Sequence, residues 1–122
     1  MIKMIYCGKN GSGKSMEAFK AYYLEHHAPL FRKTALEVRR YVINFPIERP
    51  GREAPFDFVT EIWWDDMESF ERAGASPEQA EAWADVANYA KTTGTFWLAR
   101  EHIQIPPPIV GPGLLASRRQ QA

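Results

Sequence analysis

One cysteine, Cys7, stands in a chain of 122 residues, which excludes a disulfide framework. Net charge is absent as well: 15 Lys and Arg balance 15 Asp and Glu, so no overall field draws nucleic acid or an anionic membrane. No apolar run approaches the ~20 residues of a membrane-spanning helix. The stretch Met1 to Cys7 is too short for a signal peptide and lacks a cleavage site. A soluble cytoplasmic protein is therefore expected. Histidine is scarce too. Only His26, His27 and His102 occur, and adjacent positions 26 and 27 lie about 100° apart on a helix, where they cannot chelate together. With no His-x-x-x-His and no cysteine pair, no zinc site is expected. No cofactor is expected either; His27 could serve as a haem ligand, but nothing in the sequence asks for haem.

Aromatic residues are plentiful, with seven Phe, five Tyr and four Trp in a chain that is 45% hydrophobic. That suits an aromatic-lined cavity and equally a tightly packed small core. Ile2 to Cys7 reads as a strand. Ser15 can cap a helix, whose apolar face would hold Phe19, Tyr22, Tyr23, His26, His27 and Leu30. Pro29 should end it. Arg39 to Ile47 and Phe56 to Trp64 read as strands. Their connection is too short for a crossover helix, so they should pair antiparallel. Asp65, with Glu68 three places on, can cap a second helix that Gly74 breaks and Ser76-Pro77-Glu78-Gln79 restarts with a second capping box. Its stripe would be Ala80, Trp83, Ala84 and Ala87. Thr95 to Ile105 reads as the last strand. A domain over 1–105 is then followed by a Pro- and Gly-containing tail over 106–122, with Ile109, Val110, Leu114 and Leu115, which suits lying across a partner subunit and equally a frayed terminus. The order βαββαβ is the ferredoxin-like α+β unit, with two helices on one face of a four-stranded antiparallel sheet. Its bare face would be buried against a second copy, so a homodimer is expected.

Gly8-Lys9-Asn10-Gly11-Ser12-Gly13-Lys14-Ser15 matches G-x-x-x-x-G-K-[ST], the phosphate-cradling loop, between a strand and a helix. Asp65 and Asp66, after an apolar strand, mimic its magnesium-binding carboxylate. Such nucleotide sites need parallel strands with crossover helices. A hairpin in a four-stranded sheet cannot supply them, so the sequence favours a helix-launching loop over a nucleotide site.

Several segments together resemble the EthD-like family of dimeric α+β barrels. They are Met1-Ile2-Lys3-Met4-Ile5-Tyr6-Cys7, Ser15-Met16-Glu17-Ala18-Phe19, Tyr22-Tyr23, and His26-His27-Ala28-Pro29-Leu30. Further along come Arg39-Arg40-Tyr41-Val42-Ile43-Asn44, Glu61-Ile62-Trp63-Trp64-Asp65, Met67-Glu68-Ser69-Phe70, Asp85-Val86-Ala87-Asn88-Tyr89 and Glu101-His102-Ile103. Gly11 to Lys14 and the tail depart from the family's pattern. The resemblance implies a ferredoxin-like monomer, a dimeric barrel, and small-molecule chemistry in a pocket between sheet and helices. Family members are tied to ether degradation and to tailoring of aromatic polyketides, including decarboxylation and dehydration. Related barrels act as lactone isomerases and cofactor-free monooxygenases.

His27 falls at the family's His-Ala-Pro-Leu position, and imidazole is the natural acid or base near neutral pH. It is the first catalytic candidate, with Tyr23 one turn back on the same face and His102 on the last strand beside it; His102 reaches either the pocket or the dimer interface, depending on its face. Tyr6, Asn44 and Trp64 are candidates for binding substrate. Each also has a plain structural reading as a packed or hydrogen-bonded residue. His26 suits a surface position, and Cys7 an inert core thiol. The expected function is a cofactor-independent enzyme acting on an aromatic, polyketide-like or lactone substrate by histidine proton transfer, of decarboxylase, dehydratase or isomerase type. A cofactor-free monooxygenase of the same superfamily, a non-catalytic dimer that binds a hydrophobic ligand and supports an oxygenase, and a phosphate-loop nucleotide binder are the alternatives.

Overall fold

A computed structural model describes residues 1–35, 37–91 and 95–108. The tail residues 109–122, with the apolar positions singled out above, lie outside the described residues. The strands are β1 (Ile2–Gly8), β2 (Arg40–Asn44), β3 (Phe58–Trp64) and β4 (Thr95–Arg100). They form one antiparallel sheet in the order β2-β3-β1-β4. All four expected strands are present, but three are shorter than expected. β2 stops before Phe45-Pro46, where proline cannot donate to a ladder. β3 starts at Phe58, and β4 ends at Arg100, leaving His102 beyond the sheet.

Strand alternation divides the sheet cleanly. Met4, Tyr6, Tyr41, Thr60, Ile62 and Trp64 share the helix-covered face, as their cross-strand register requires. Trp63 lies on the opposite face, buried under Lys3 and Arg40, whose cations sit 5.1 and 4.7 Å from its ring. Its indole Nε1 donates to Glu101 at 2.9 Å.

The first helix is α1 (Met16–Tyr22), capped by Ser15, whose hydroxyl accepts from Ala18 N at 3.2 Å. It does not end at Pro29. It passes through a π turn over Tyr23–His27 and continues as α2 (Ala28–Arg32). In an uninterrupted α-helix the Pro29 ring would collide with the carbonyl four residues back. The π turn, closed by Ala28 N–H bonding to Tyr23 O, adds the residue that relieves the collision. It also shifts the buried face: Phe19, Tyr23, His27 and Phe31 are buried, whereas His26 is exposed.

α3 (Met67–Ala75) is capped by Asp66, not Asp65: Asp66 Oδ1 accepts from Ser69 N at 2.8 Å, while Asp65 faces out to Arg39 at 2.7 Å. Gly74 lies inside this helix rather than breaking it. Pro77–Gln79 form a 3-10 turn without a side-chain cap, Ser76 instead donating to Glu78. α4 (Ala80–Asp85) follows, then a second 3-10 turn over Val86–Asn88. Its buried stripe is Ala82, Asp85 and Tyr89, while the expected Ala80, Ala84 and Ala87 are exposed.

The phosphate-loop letters fold into a closed knot. Asn10 N donates to Asp57 at 2.7 Å, Gly11 N to Tyr89 O at 2.8 Å, Ser12 N to Asn10 Oδ1 at 2.9 Å and Lys14 N to Ser12 Oγ at 3.1 Å. Four of the loop's amides, those of Asn10, Gly11, Ser12 and Lys14, are thus already occupied within the protein. Gly11 is required because a Cβ there would strike the Ala90 and Lys91 backbone, and Gly13 because its φ is +73°.

Phe58 is fully buried and packs against Tyr6, Phe19, Tyr23 and Tyr89. Phe58→Ala should cost about 3–5 kcal/mol of unfolding free energy in a denaturant titration.

Candidate functional site

Between the sheet and the helices lies a cavity of about 660 Å³. The sheet contributes Met4, Tyr6, Tyr41, Thr60, Ile62 and Trp64, and β4 adds Phe96. The first helix contributes Tyr23, His27 and Phe31. Trp83, Val86 and Tyr89 close the far wall. Two buried clusters meet around it, one centred on Phe31, Ile62 and Trp64, the other on Phe19, Tyr23, Phe58 and Tyr89.

Among the described residues, His27 is the one basic side chain on this wall, and it is buried. Its Nδ1 lies 2.9 Å from Asp85 Oδ2. Asp85 Oδ1 in turn accepts from Tyr22 OH at 2.6 Å and Asn88 Nδ2 at 2.9 Å. Burial pushes the Asp85 carboxyl up, but the hydrogen bonds from Tyr22, Asn88 and His27 outweigh it and hold its pKa below the ordinary value. The carboxylate is thus ionised at neutral pH and can only accept. The proton therefore sits on His27 Nδ1, and Nε2 keeps its lone pair. Burial lowers the His27 pKa, and Asp85 offsets part of that effect. The ring is a neutral base at neutral pH, oriented by a carboxylate.

Around it, the Tyr89 ring is 4.6 Å away and the Tyr23 ring meets it edge-on at 5.5 Å. The Tyr23 hydroxyl bonds to Thr60 Oγ1. Burial raises Tyr23 to about 12 and also raises Tyr6, Tyr41 and Tyr89, so these phenols stay protonated. The indole nitrogens of Trp64 and Trp83 are buried without a conventional acceptor among the described residues. Each indole instead packs edge-on with a phenyl ring, Trp64 with Phe70 at 5.0 Å and Trp83 with Phe31 at 5.4 Å.

The structure brings His27, Tyr23, Tyr6 and Trp64 together on this wall. It does not bring Asn44 or His102. Asn44 sits on the opposite sheet face at the edge strand, donating to Val59 O at 2.9 Å. His102 is exposed past the end of β4. Cys7 is buried on that opposite face. His26 stacks on Tyr22 at 4.7 Å. Sequence reasoning missed Asp85, Tyr22, Asn88 and Thr60. The one available signal was a carboxylate three residues from Ala82 and four from Tyr89, on what proves to be the buried stripe. Among the described residues, no group of three or more His, Cys, Asp and Glu could hold a metal ion, and no helix is long and apolar enough to cross a membrane.

The fold and site define a ferredoxin-like α+β domain enclosing an aromatic chamber with a buried histidine–aspartate pair. The chain belongs to the EthD domain family, whose model matches residues 12–93. Its fold is similar to that of an ethyl tert-butyl ether D (EthD) family protein from Bacillus halodurans, with a TM-score of 0.71 and 24% identity over 84% of this chain and 99% of that one. It is also similar to SnoaB, a cofactor-independent oxygenase from Streptomyces nogalater, with a TM-score of 0.63 and 15% identity over 87% and 97% of the two chains. A dimeric ferredoxin-like protein of unknown function from Bacteroides fragilis matches with a TM-score of 0.60 and 13% identity over 82% and 95%. No curated protein matches the chain.

Folding holds the His27 pKa below its ordinary 6.5, so the unfolded chain takes up this proton first as pH drops. The His27 contribution should therefore be complete above about pH 6.5 and lost progressively below it, seen as a falling thermal midpoint. In a nitrogen-15 NMR titration His27 should titrate below the ordinary value, and lower still in Asp85→Asn, which removes the group that raises it.

Proposed function

We propose that this protein is a cofactor-independent enzyme that transfers a proton on an aromatic, polyketide-like or lactone substrate, with His27 as acid and base. One observation carries the reading: a buried, neutral imidazole, oriented by an ionised carboxylate at 2.9 Å, on the wall of an apolar chamber. At about 660 Å³ the chamber falls in the range of small-molecule sites. His27 Nε2 takes a proton from the substrate. The imidazolium that forms is stabilised by Asp85, and the proton returns to another carbon in an isomerisation or to a departing hydroxyl in a dehydration. In a decarboxylation Nε2 takes the proton of a neutral carboxyl group and returns it to the carbon that loses carbon dioxide. Tyr23 and Tyr6 supply hydroxyl contacts to the substrate, and Trp64 supplies an aromatic wall.

A second reading, a cofactor-free oxygenase, draws support from the similarity to SnoaB, described as a cofactor-independent oxygenase. It uses the same first step, since deprotonation of the substrate precedes reaction with oxygen. A non-catalytic dimer that binds a hydrophobic ligand remains the alternative if turnover is absent. We further propose that the chain works as a homodimer. Phe96, Trp97 and Leu98 are exposed on the edge strand β4, and the similar Bacteroides fragilis protein is described as dimeric.

With a verified substrate, His27→Ala should lower kcat/KM by about 10²–10⁴-fold; unchanged turnover would overturn the proton-transfer reading. Light scattering on a size-exclusion column should give twice the monomer mass of 14.0 kDa, and a monomer at micromolar concentration would count against the dimer.

A further inference from the structure

The chamber's wall is unusual in its charge rather than its shape. Among the described residues, no Lys, Arg, Asp or Glu lines it. Its polar side-chain groups are the His27 imidazole, the Thr60 hydroxyl, the phenols of Tyr6, Tyr23, Tyr41 and Tyr89, and two indoles whose nitrogens are sealed from solvent. Behind His27 stands one ionised carboxylate, Asp85, already surrounded by three donors. An anion entering this space loses its water, finds no cation, and approaches a like charge. A neutral molecule meets none of these costs.

We infer that the chamber selects a substrate that enters uncharged and reacts through a phenol or an enolisable ketone, and that it rejects carboxylates. This rests on the reading of the chamber as the ligand site proposed above, and it narrows that reading by removing decarboxylation of an ionised acid. The charge balance is closed. His27 Nε2 takes the proton; the broken O–H or C–H bond leaves its electron pair on the substrate as a phenolate or enolate oxygen. The new imidazolium supplies the countercharge that the wall lacks, and Asp85 holds the imidazolium. Donors for the oxygen come from the hydroxyls. Tyr23 and Thr60 share one hydrogen bond, which uses one of their two hydroxyl protons and leaves the other. Tyr6 stands directly opposite Thr60 in the β1–β3 register, on the same face. Burial keeps these phenols protonated, so they remain donors at neutral pH.

Calorimetric titration of the wild-type protein at neutral pH with naphthol, naphthoate and naphthalene tests the inference without requiring turnover. The three share a ring system and differ in carrying a hydroxyl, a carboxylate or neither. Naphthol should bind at least about tenfold more tightly than naphthoate, and more tightly than naphthalene. Tyr23→Phe should shrink the advantage over naphthalene while leaving naphthalene's own affinity in place. Naphthoate binding as tightly as naphthol, or no binding of naphthol, overturns the inference. An advantage over naphthalene unchanged in Tyr23→Phe overturns the hydroxyl contact from Tyr23. The two readings fail separately: preference for naphthol with turnover surviving in His27→Ala sinks proton transfer by His27 and keeps the neutral-ligand chamber, whereas preference for naphthoate sinks the latter alone.

Discussion

An ionised carboxylate cannot be buried alone, because the lost hydration must be replaced by donors arranged before the charge arrives. Asp85 is buried and ionised, so Tyr22, His27 and Asn88 must all reach it. Those donors come from two separate parts of the chain. Satisfying one carboxylate therefore fixes the approach of the first helix to the end of α4, and with it the far wall of the chamber. The same contact sets the imidazole tautomer. One requirement, compensation of a buried charge, thus links the packing of two helices to the chemistry available at Nε2.

Aromatic packing sets the chamber's boundaries in a different way. Phe19, Tyr23, Phe58 and Tyr89 contact one another at ring separations of 4.4 to 6.3 Å and form a rigid end. Phe31, Trp64, Trp83 and Phe70 form the other. Large planar side chains with few rotamers cannot collapse into the space between them as aliphatic chains would, so a sizeable cavity survives in a small domain. The polar tips of the tyrosines then decorate a surface that is otherwise apolar.

The sheet and its order of elements were legible because hydrophobic alternation and turn residues are local signals. Met4 and Tyr6, or Ile62 and Trp64, must share a face whatever the rest of the chain does. His27 was legible from its helix and its resemblance to a family position. Asp85 was not: it acts across 58 positions of sequence, and a carboxylate near a helix end reads as a solvated residue until the helix phase is known. Ala80, Ala84 and Ala87 suggest the wrong phase, because in the folded helix they face solvent. The π turn was equally hidden. Pro29 suggests an ending, yet a helix can absorb it by widening one turn, and that widening keeps Phe31 on the buried face with Phe19, Tyr23 and His27.

The Gly8 to Ser15 loop shows why a motif's letters need their backbone context. A phosphate cradle works through amides that point at an empty space. Here Asn10 organises the loop instead, its side chain accepting from Ser12 and donating to the Lys14 carbonyl. Gly11 is small so that the strand end can pass close to the backbone of Ala90, one residue beyond Tyr89 of the chamber wall. Gly11, which would admit a phosphate in a parallel sheet, serves here to pin the segment after α4 against the loop that follows β1. Tyr89, bonded through its carbonyl to Gly11 N, is thereby held with its ring against His27. The loop thus contributes to the site by holding one wall of the chamber in place, a role that depends on its carbonyl and amide contacts rather than on the lysine that makes the motif recognisable.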